Sequence, residues 1–197
     1  SGTVSKSLAL DHGWITDPIL TACKGDRLHL WFNTDHPDED NMSSTLDWRY
    51  FNTQGDAAEV DFSNNDTGGI RRIGTDGKPV IQAKPGPNGT VIAFKECDVY
   101  AISGRAFWSI KVERVPDLDG TDAPLSVTAG DQRLLWLKGS RVWLWDFAQK
   151  MDVADPLRTT LARVSSAYES GAVGFFHDLK FYLFYPVDAN GNKQYIE

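Results

Sequence analysis

Cysteine is scarce in this chain: two residues in 197, Cys23 and Cys97, with no Cys-x-x-Cys pair. Two thiols make no disulfide framework at this length, and the redox motif is excluded with it. Both are expected as free, partly packed thiols. Histidine is scarce too: His12, His29, His36 and His177 are scattered, and no two stand at ligand spacing, which removes the usual zinc patterns. His29 sits beside Trp31 on a strand and is expected to be packed rather than metal-bound. There is no Gly-x-Ser-x-Gly, no HExxH and no phosphate-cradling glycine loop. No apolar run reaches about 18 residues, so no membrane-spanning helix is expected. The opening Ser1-Gly2-Thr3-Val4 carries no Met and no signal-peptide pattern. Gln194 to Glu197 reads as the start of a strand, and the chain is expected to be part of a longer protein. Positive charge is in deficit: 20 Lys and Arg against 27 Asp and Glu, a net charge of -7. A chain with that balance lacks the basic footprint of a nucleic-acid grip.

What the sequence has is apolar and aromatic residues in short runs: 41% of residues are apolar, 12% aromatic, and 7 are Trp. Gly and Pro recur throughout, which favours strands and turns. The chain is organised around Thr90 to Gly104. Val91-Ile92-Ala93-Phe94 and Val99-Tyr100-Ala101-Ile102 flank the polar tip Lys95-Glu96-Cys97-Asp98. Runs that are apolar on both faces of the pleat suit strands covered on both sides. Further hairpins are expected around Lys24-Gly25-Asp26, Gln54-Gly55-Asp56, Lys138-Gly139-Ser140 and His177-Asp178-Leu179-Lys180, and a single strand, an edge or a closing strand, within Ser1 to Leu20. Ala57 to Phe62 reads as a return strand, Ile70 to Ile73 as a short strand, and Ala106 to Val112 as another. Asn33 to Thr45 holds Asp35, Asp38, Glu39 and Asp40 and only Met42 as an apolar residue; it reads as a solvated loop, dispensable for folding. Asp155-Pro156 followed by Leu157, Leu161 and Val164 at i, i+4 and i+7 predicts a short helix near 156–165, with Asp155 as N-cap and Pro156 at the first position.

The tips near Gly55, Cys97, Gly139 and Leu179 recur at roughly 40 residues, the spacing of four-stranded propeller blades. No Trp-Asp blade dipeptide and no Asp-box mark the repeat, and an irregular sandwich of hairpins is the competing architecture. The expected fold is all-β: a β-propeller or propeller fragment built from antiparallel hairpins, with one short helix, forming a single β domain over 1–197.

Three segments carry a family resemblance. They are Asp76 to Ile81 followed by Val91 to Gly104; Asp131 to Trp143; and Phe176-His177-Asp178-Leu179-Lys180-Phe181-Tyr182-Leu183-Phe184-Tyr185-Pro186. In this order they resemble the β-propeller region of bacteriophage tail tubular or nozzle-type virion proteins, with Cys97 standing where that family often has Arg. The resemblance implies a viral structural protein of the virion tail. It would form a homo-oligomeric ring with other copies and neighbouring tail proteins, and DNA would pass through without sequence-specific binding. It implies no enzyme, no catalytic, cofactor-binding or metal-ligating residue and no cofactor. Lys95 and Arg105 flank the central hairpin as candidates to face a channel, although a channel for DNA should be mostly acidic or neutral.

Two loops suggest calcium, Asp117-Leu118-Asp119-Gly120-Thr121-Asp122 and Asp188-Ala189-Asn190-Gly191-Asn192. Neither has the downstream bidentate Glu, and turn chemistry accounts for both. Trp14, Trp31, Trp48, Trp108, Trp136, Trp143 and Trp145 fall mostly on strands, where core packing is the default. The alternative is a carbohydrate- or receptor-binding propeller that stacks a host-surface glycan on exposed rings. A third reading is a propeller hydrolase whose dispersed acids leave no local motif.

Overall fold

The computed structural model describes residues 7–10, 13–16, 20–24, 27–31, 36–44, 47–51, 69–104, 109–162, 166–186 and 193–196. Short antiparallel strands dominate, as the apolar runs and frequent turn residues dictate. They fall into two compact units. One comprises Ser1–Ala93 with Tyr100–Arg114, the other Phe94–Val99 with Val115–Glu197.

In the first unit, β1 (Ser7–Leu10) pairs with β2 (Gly13–Thr16), where a single strand was expected; the break falls between Leu10 and Gly13. Next come β3 (Leu20–Lys24), β4 (Arg27–Trp31), β5 (Glu39–Ser44) and β6 (Asp47–Phe51), joined in that order, with β7 (Gly69–Arg72) paired to β5. The Lys24↔Arg27 register confirms the hairpin expected there. Four strands follow: β8 (Gln82–Pro85), β9 (Val91–Phe94), β10 (Val99–Ser103) and β11 (Lys111–Arg114). They form an up-and-down sheet in the order β11-β10-β9-β8, the strand pattern of a propeller blade. All four residues of β9 are buried, as a strand apolar on both faces requires. Trp31, Ile73, Val80, Ala83, Val91, Ala93 and Ile102 make the core of this unit.

The expected solvated loop over Asn33 to Thr45 is corrected by β5, an inner strand whose Asp40, Asn41, Met42 and Ser43 are all buried. Each of the three polar side chains makes a hydrogen bond within the unit. Asp40 Oδ2 meets His29 Nδ1 at 2.8 Å, Asn41 Nδ2 donates to the Leu30 carbonyl, and Ser43 Oγ accepts from the Leu28 amide. Backbone bonds add to these: the Ile73 and Val80 amides donate to the carbonyls of Asp38 and Pro37. Buried polar residues tolerated in this way are invisible to a reading by hydropathy. His29 is packed, as expected, and its ring stacks on Trp31.

The second unit contains a second four-stranded meander. It runs β12 (Thr128–Gly130), β13 (Arg133–Lys138), β14 (Arg141–Trp145), β15 (Lys150–Asp152), again in sequence order. Next, β16 (Val173–His177), β17 (Lys180–Pro186) and β18 (Lys193–Ile196) form a three-stranded sheet. Two turns are tight: Asp131 and Gln132, and Asp178 and Leu179, all have positive φ, the type I′ geometry whose twist suits hairpins. Glycine allows the two sheets of this unit to approach. A Cβ on Gly130 would stand 2.2 Å from the Phe176 ring, and one on Gly174 would stand 2.5 Å from the Ser126 carbonyl oxygen. Leu137, Val142, Leu161, Leu183 and Tyr185 lie in the core. The short helix is present as α1 (Arg158–Leu161), preceded by a 3-10 turn over Asp155–Leu157. Asp155 is not its N-cap: it lies inside that turn and pairs with Arg158 at 2.8 Å. The Gly25 and Gly55 tips, the return strand over 57–62, residues 105–108 with Trp108, and Val164 lie outside the described residues.

Candidate functional site

A polar cluster in the second unit gathers residues from three stretches of chain. The β9–β10 tip supplies Lys95 and Glu96. The loop before β12 supplies Gly120, Thr121 and Asp122. The β13–β14 turn supplies Lys138 and Gly139. A fourth segment, the 3-10 stretch Ser166–Gly171, brings Glu169. Lys138 Nζ lies 2.7 Å from Asp122 Oδ2 and 3.0 Å from the Glu96 carbonyl oxygen. The Gly139 amide donates to Glu169 Oε1 at 2.6 Å. Beneath them, the Thr121 amide donates to the Lys95 carbonyl and Thr121 Oγ1 to the Leu137 carbonyl. Ser126 Oγ receives the Leu137 amide and donates to the Ala123 carbonyl. Thr121 and Ser126 are fully buried, so these bonds form away from water. Gly120 belongs to the same layer: a Cβ there would stand 1.8 Å from the Lys95 carbonyl oxygen.

The two carboxyl groups of the cluster differ in environment. Glu169 is 4% exposed. Burial pushes its carboxyl above the usual range, against the pull of the Gly139 amide, and Asp122 adds to the rise while Lys138 opposes it. Asp122 faces solvent with 40% of its side chain exposed and holds the Lys138 ammonium. A buried acid with a raised pKa beside an ion-paired carboxylate has the chemical elements of a proton donor and a charge stabiliser. The same bonds also tie the hairpin turn and the 120–122 loop together.

The other candidates disperse. His36 is near Arg72 on the first unit, and His177 is an exposed residue beside Asp178 at the β16–β17 turn. Of the calcium-like loop, Asp119 pairs with Lys150 and Asp122 with Lys138, and no cluster of three metal-ligating side chains occurs among the described residues. His12 and the 188–192 loop lie outside the described residues. Lys95 does not face a channel: its side chain is fully buried, and its own amide and carbonyl are held by Asp98 and Thr121. Arg105 lies outside the described residues. Cys97 is a free thiol, as expected, but it is exposed rather than partly packed. Trp31, Trp136 and Trp145 are buried, as core packing requires. Glu169 escaped the sequence reading because its partner lies 30 positions away and no local motif surrounds it.

A second surface lies on the β16–β17 hairpin. Phe175 is 43% exposed, and its ring stacks on Tyr182 at 4.9 Å and 14° and on Phe184 at 5.7 Å and 18°. Leu179, at the adjoining turn, is 78% exposed.

No protein-family model matches the chain, and no curated protein matches it. Solved structures do. Catalytically inactive H270A virginiamycin B lyase from Staphylococcus aureus, determined with quinupristin, is similar at 10% identity and a TM-score of 0.50, over 98% of this chain and 62% of the lyase. The N-terminal domain of Nup159 is similar at 13% identity and a TM-score of 0.44, over 86% of this chain and 39% of that one. The chain thus spans less than two thirds of either. At such identity the likeness to the lyase speaks to fold alone. The fold is all-β and propeller-like, built from antiparallel hairpins with one short helix. The expectation that the chain is not an enzyme is corrected by the same comparison: a lyase is built on this architecture, so the fold gives no ground for excluding catalysis.

Proposed function

We propose that this chain is a β-propeller module of a bacteriophage tail, where it assembles with copies of itself and with neighbouring tail proteins into a ring around passing DNA. Three motifs support the reading by their order: the Val91–Gly104 hairpin, the Asp131–Trp143 hairpin, and Phe176 to Pro186. The observation that carries it is the half-exposed aromatic strip Phe175, Tyr182 and Phe184, on a hairpin whose Phe181 and Leu183 pack into the core. Apolar surface of this kind favours association. The net charge of -7 fits a wall that does not retain DNA.

A carbohydrate-binding propeller is the second reading, favoured by the same exposed rings. A sugar needs a free ring face, whereas Phe175 gives at least one face to its neighbours at near-parallel angles. The test is mass spectrometry and labelled-antibody imaging of phage particles from the source of this gene, with light scattering of the full-length protein. The expected result is the protein in purified particles at ring stoichiometry. A stable monomer that is absent from particles and binds a defined glycan overturns the assembly reading.

A further inference from the structure

Among the described residues of the first unit, two buried side-chain atoms have no hydrogen-bond partner: Trp31 Nε1 and Asp40 Oδ1. The two side chains are neighbours. In the register of β4 and β5, His29 stands opposite Met42 and Leu30 opposite Asn41; continuing that antiparallel alternation by one step puts Trp31 and Asp40 on the face that His29 shares. The imidazole of His29 touches both: its ring lies 6.3 Å from the Trp31 ring at 18°, and its Nδ1 is 2.8 Å from Asp40 Oδ2. His29 therefore fixes the carboxylate through one oxygen and leaves the other without a partner. Trp31 is 2% exposed and Asp40 is 0% exposed, so neither atom is served by bulk solvent.

An indole N–H only donates and an ionised carboxylate only accepts. Left unpaired, each carries the desolvation penalty of an unmade bond. The third such atom, Trp136 Nε1, has a ring close by: its indole meets Phe94 at 66° and 5.4 Å, and an aromatic face in such an arrangement can accept an N–H. Trp31 lacks that recourse toward His29, since their rings are nearly parallel.

We propose that Trp31 and Asp40 hold one internal water molecule, which accepts from the Trp31 indole N–H and donates to Asp40 Oδ1. The pair of groups selects the ligand. A metal cation is repelled by the N–H, an anion by the carboxylate, and only a small molecule that both donates and accepts satisfies the two. The water extends the His29–Asp40 pair into a chain from His29 to Trp31 that crosslinks β4 and β5 through side chains. The charged residue that competes for the site is Arg71, half-buried and opposite Asp40 on β7.

A crystal structure of the whole protein at a resolution that shows ordered solvent tests this directly. The expected result is a density peak about 2.7–3.2 Å from both atoms. In solution, the Trp31 indole proton should give a cross-peak to long-lived water, identified by its loss in Trp31→Phe. Clear density with no peak, with Asp40 Oδ1 bonded directly to the Trp31 indole, or with an Arg71 N–H on that oxygen overturns the proposal. The unsubstituted protein decides the question even if Trp31→Phe does not fold.

Discussion

Glu169 accepts the backbone N–H of Gly139 at 2.6 Å, joining the β13–β14 turn to a segment 30 residues later. Because burial raises its pKa above the ordinary 4.5, the folded protein binds this proton more tightly than the unfolded chain does. The linkage has a definite sign: the contribution to stability is complete below pH 4.5 and is lost as pH rises through the raised value. Glu169→Gln keeps an oxygen for Gly139 and has no charge to bury. It should flatten this fall and leave the protein at least as stable at neutral pH. Urea midpoints across the acidic-to-neutral range check this; parallel curves for the two proteins would refute it.

Phe94 is fully buried, with its ring meeting Trp136 edge to face. Phe94→Ala should cost about 3–5 kcal/mol, the usual penalty for deleting a core aromatic ring. Denaturation followed by tryptophan fluorescence measures it, and a loss of a few tenths would contradict the packing.

Met42 is fully buried on β5. Met42→Ala should cost about 2–5 kcal/mol, and replacing Asn33–Thr45 with a Gly/Ser linker should abolish cooperative unfolding of the first unit. A linker variant that melts like the parent protein would return the segment to the status of a loop.

Leu179 occupies a left-handed conformation, φ 62°, at the β16–β17 turn while 78% exposed. A leucine there is strained by about 1–2 kcal/mol relative to ordinary backbone. Leu179→Gly should therefore raise the melting temperature slightly, since glycine adopts this φ freely. A clear fall in melting temperature would mean that the leucine is held by contacts.

The parts of the fold written in apolar runs were legible. Val91–Phe94, Leu134–Leu137, Val142–Trp145 and Phe181–Tyr185 all became strands where alternating or doubly apolar patterns placed them. What the sequence hid is polar and long-range. Glu39–Ser44 reads as solvated because its side chains are charged or polar, yet His29, Leu28 and Leu30 provide the partners that let it enter the sheet. The Glu169 cluster depends on contacts between residues distant in sequence, which no local window contains. Lys95 misled for a related reason: a lysine at a hairpin tip is ordinarily solvated, but here the 120–122 loop closes over the tip.

That closure has a consequence for descent. The Lys95 carbonyl leaves no room for even a methyl group at Gly120, and the obstacle is backbone, which cannot swing aside as a side chain can. Any cousin that keeps this crossing must keep a glycine at that point, however far the rest of its text has drifted. A search anchored on the apolar strand ending in Phe94-Lys95, with Gly120-Thr121-Asp122 at its fixed interval, should therefore reach kin that whole-chain comparison passes over.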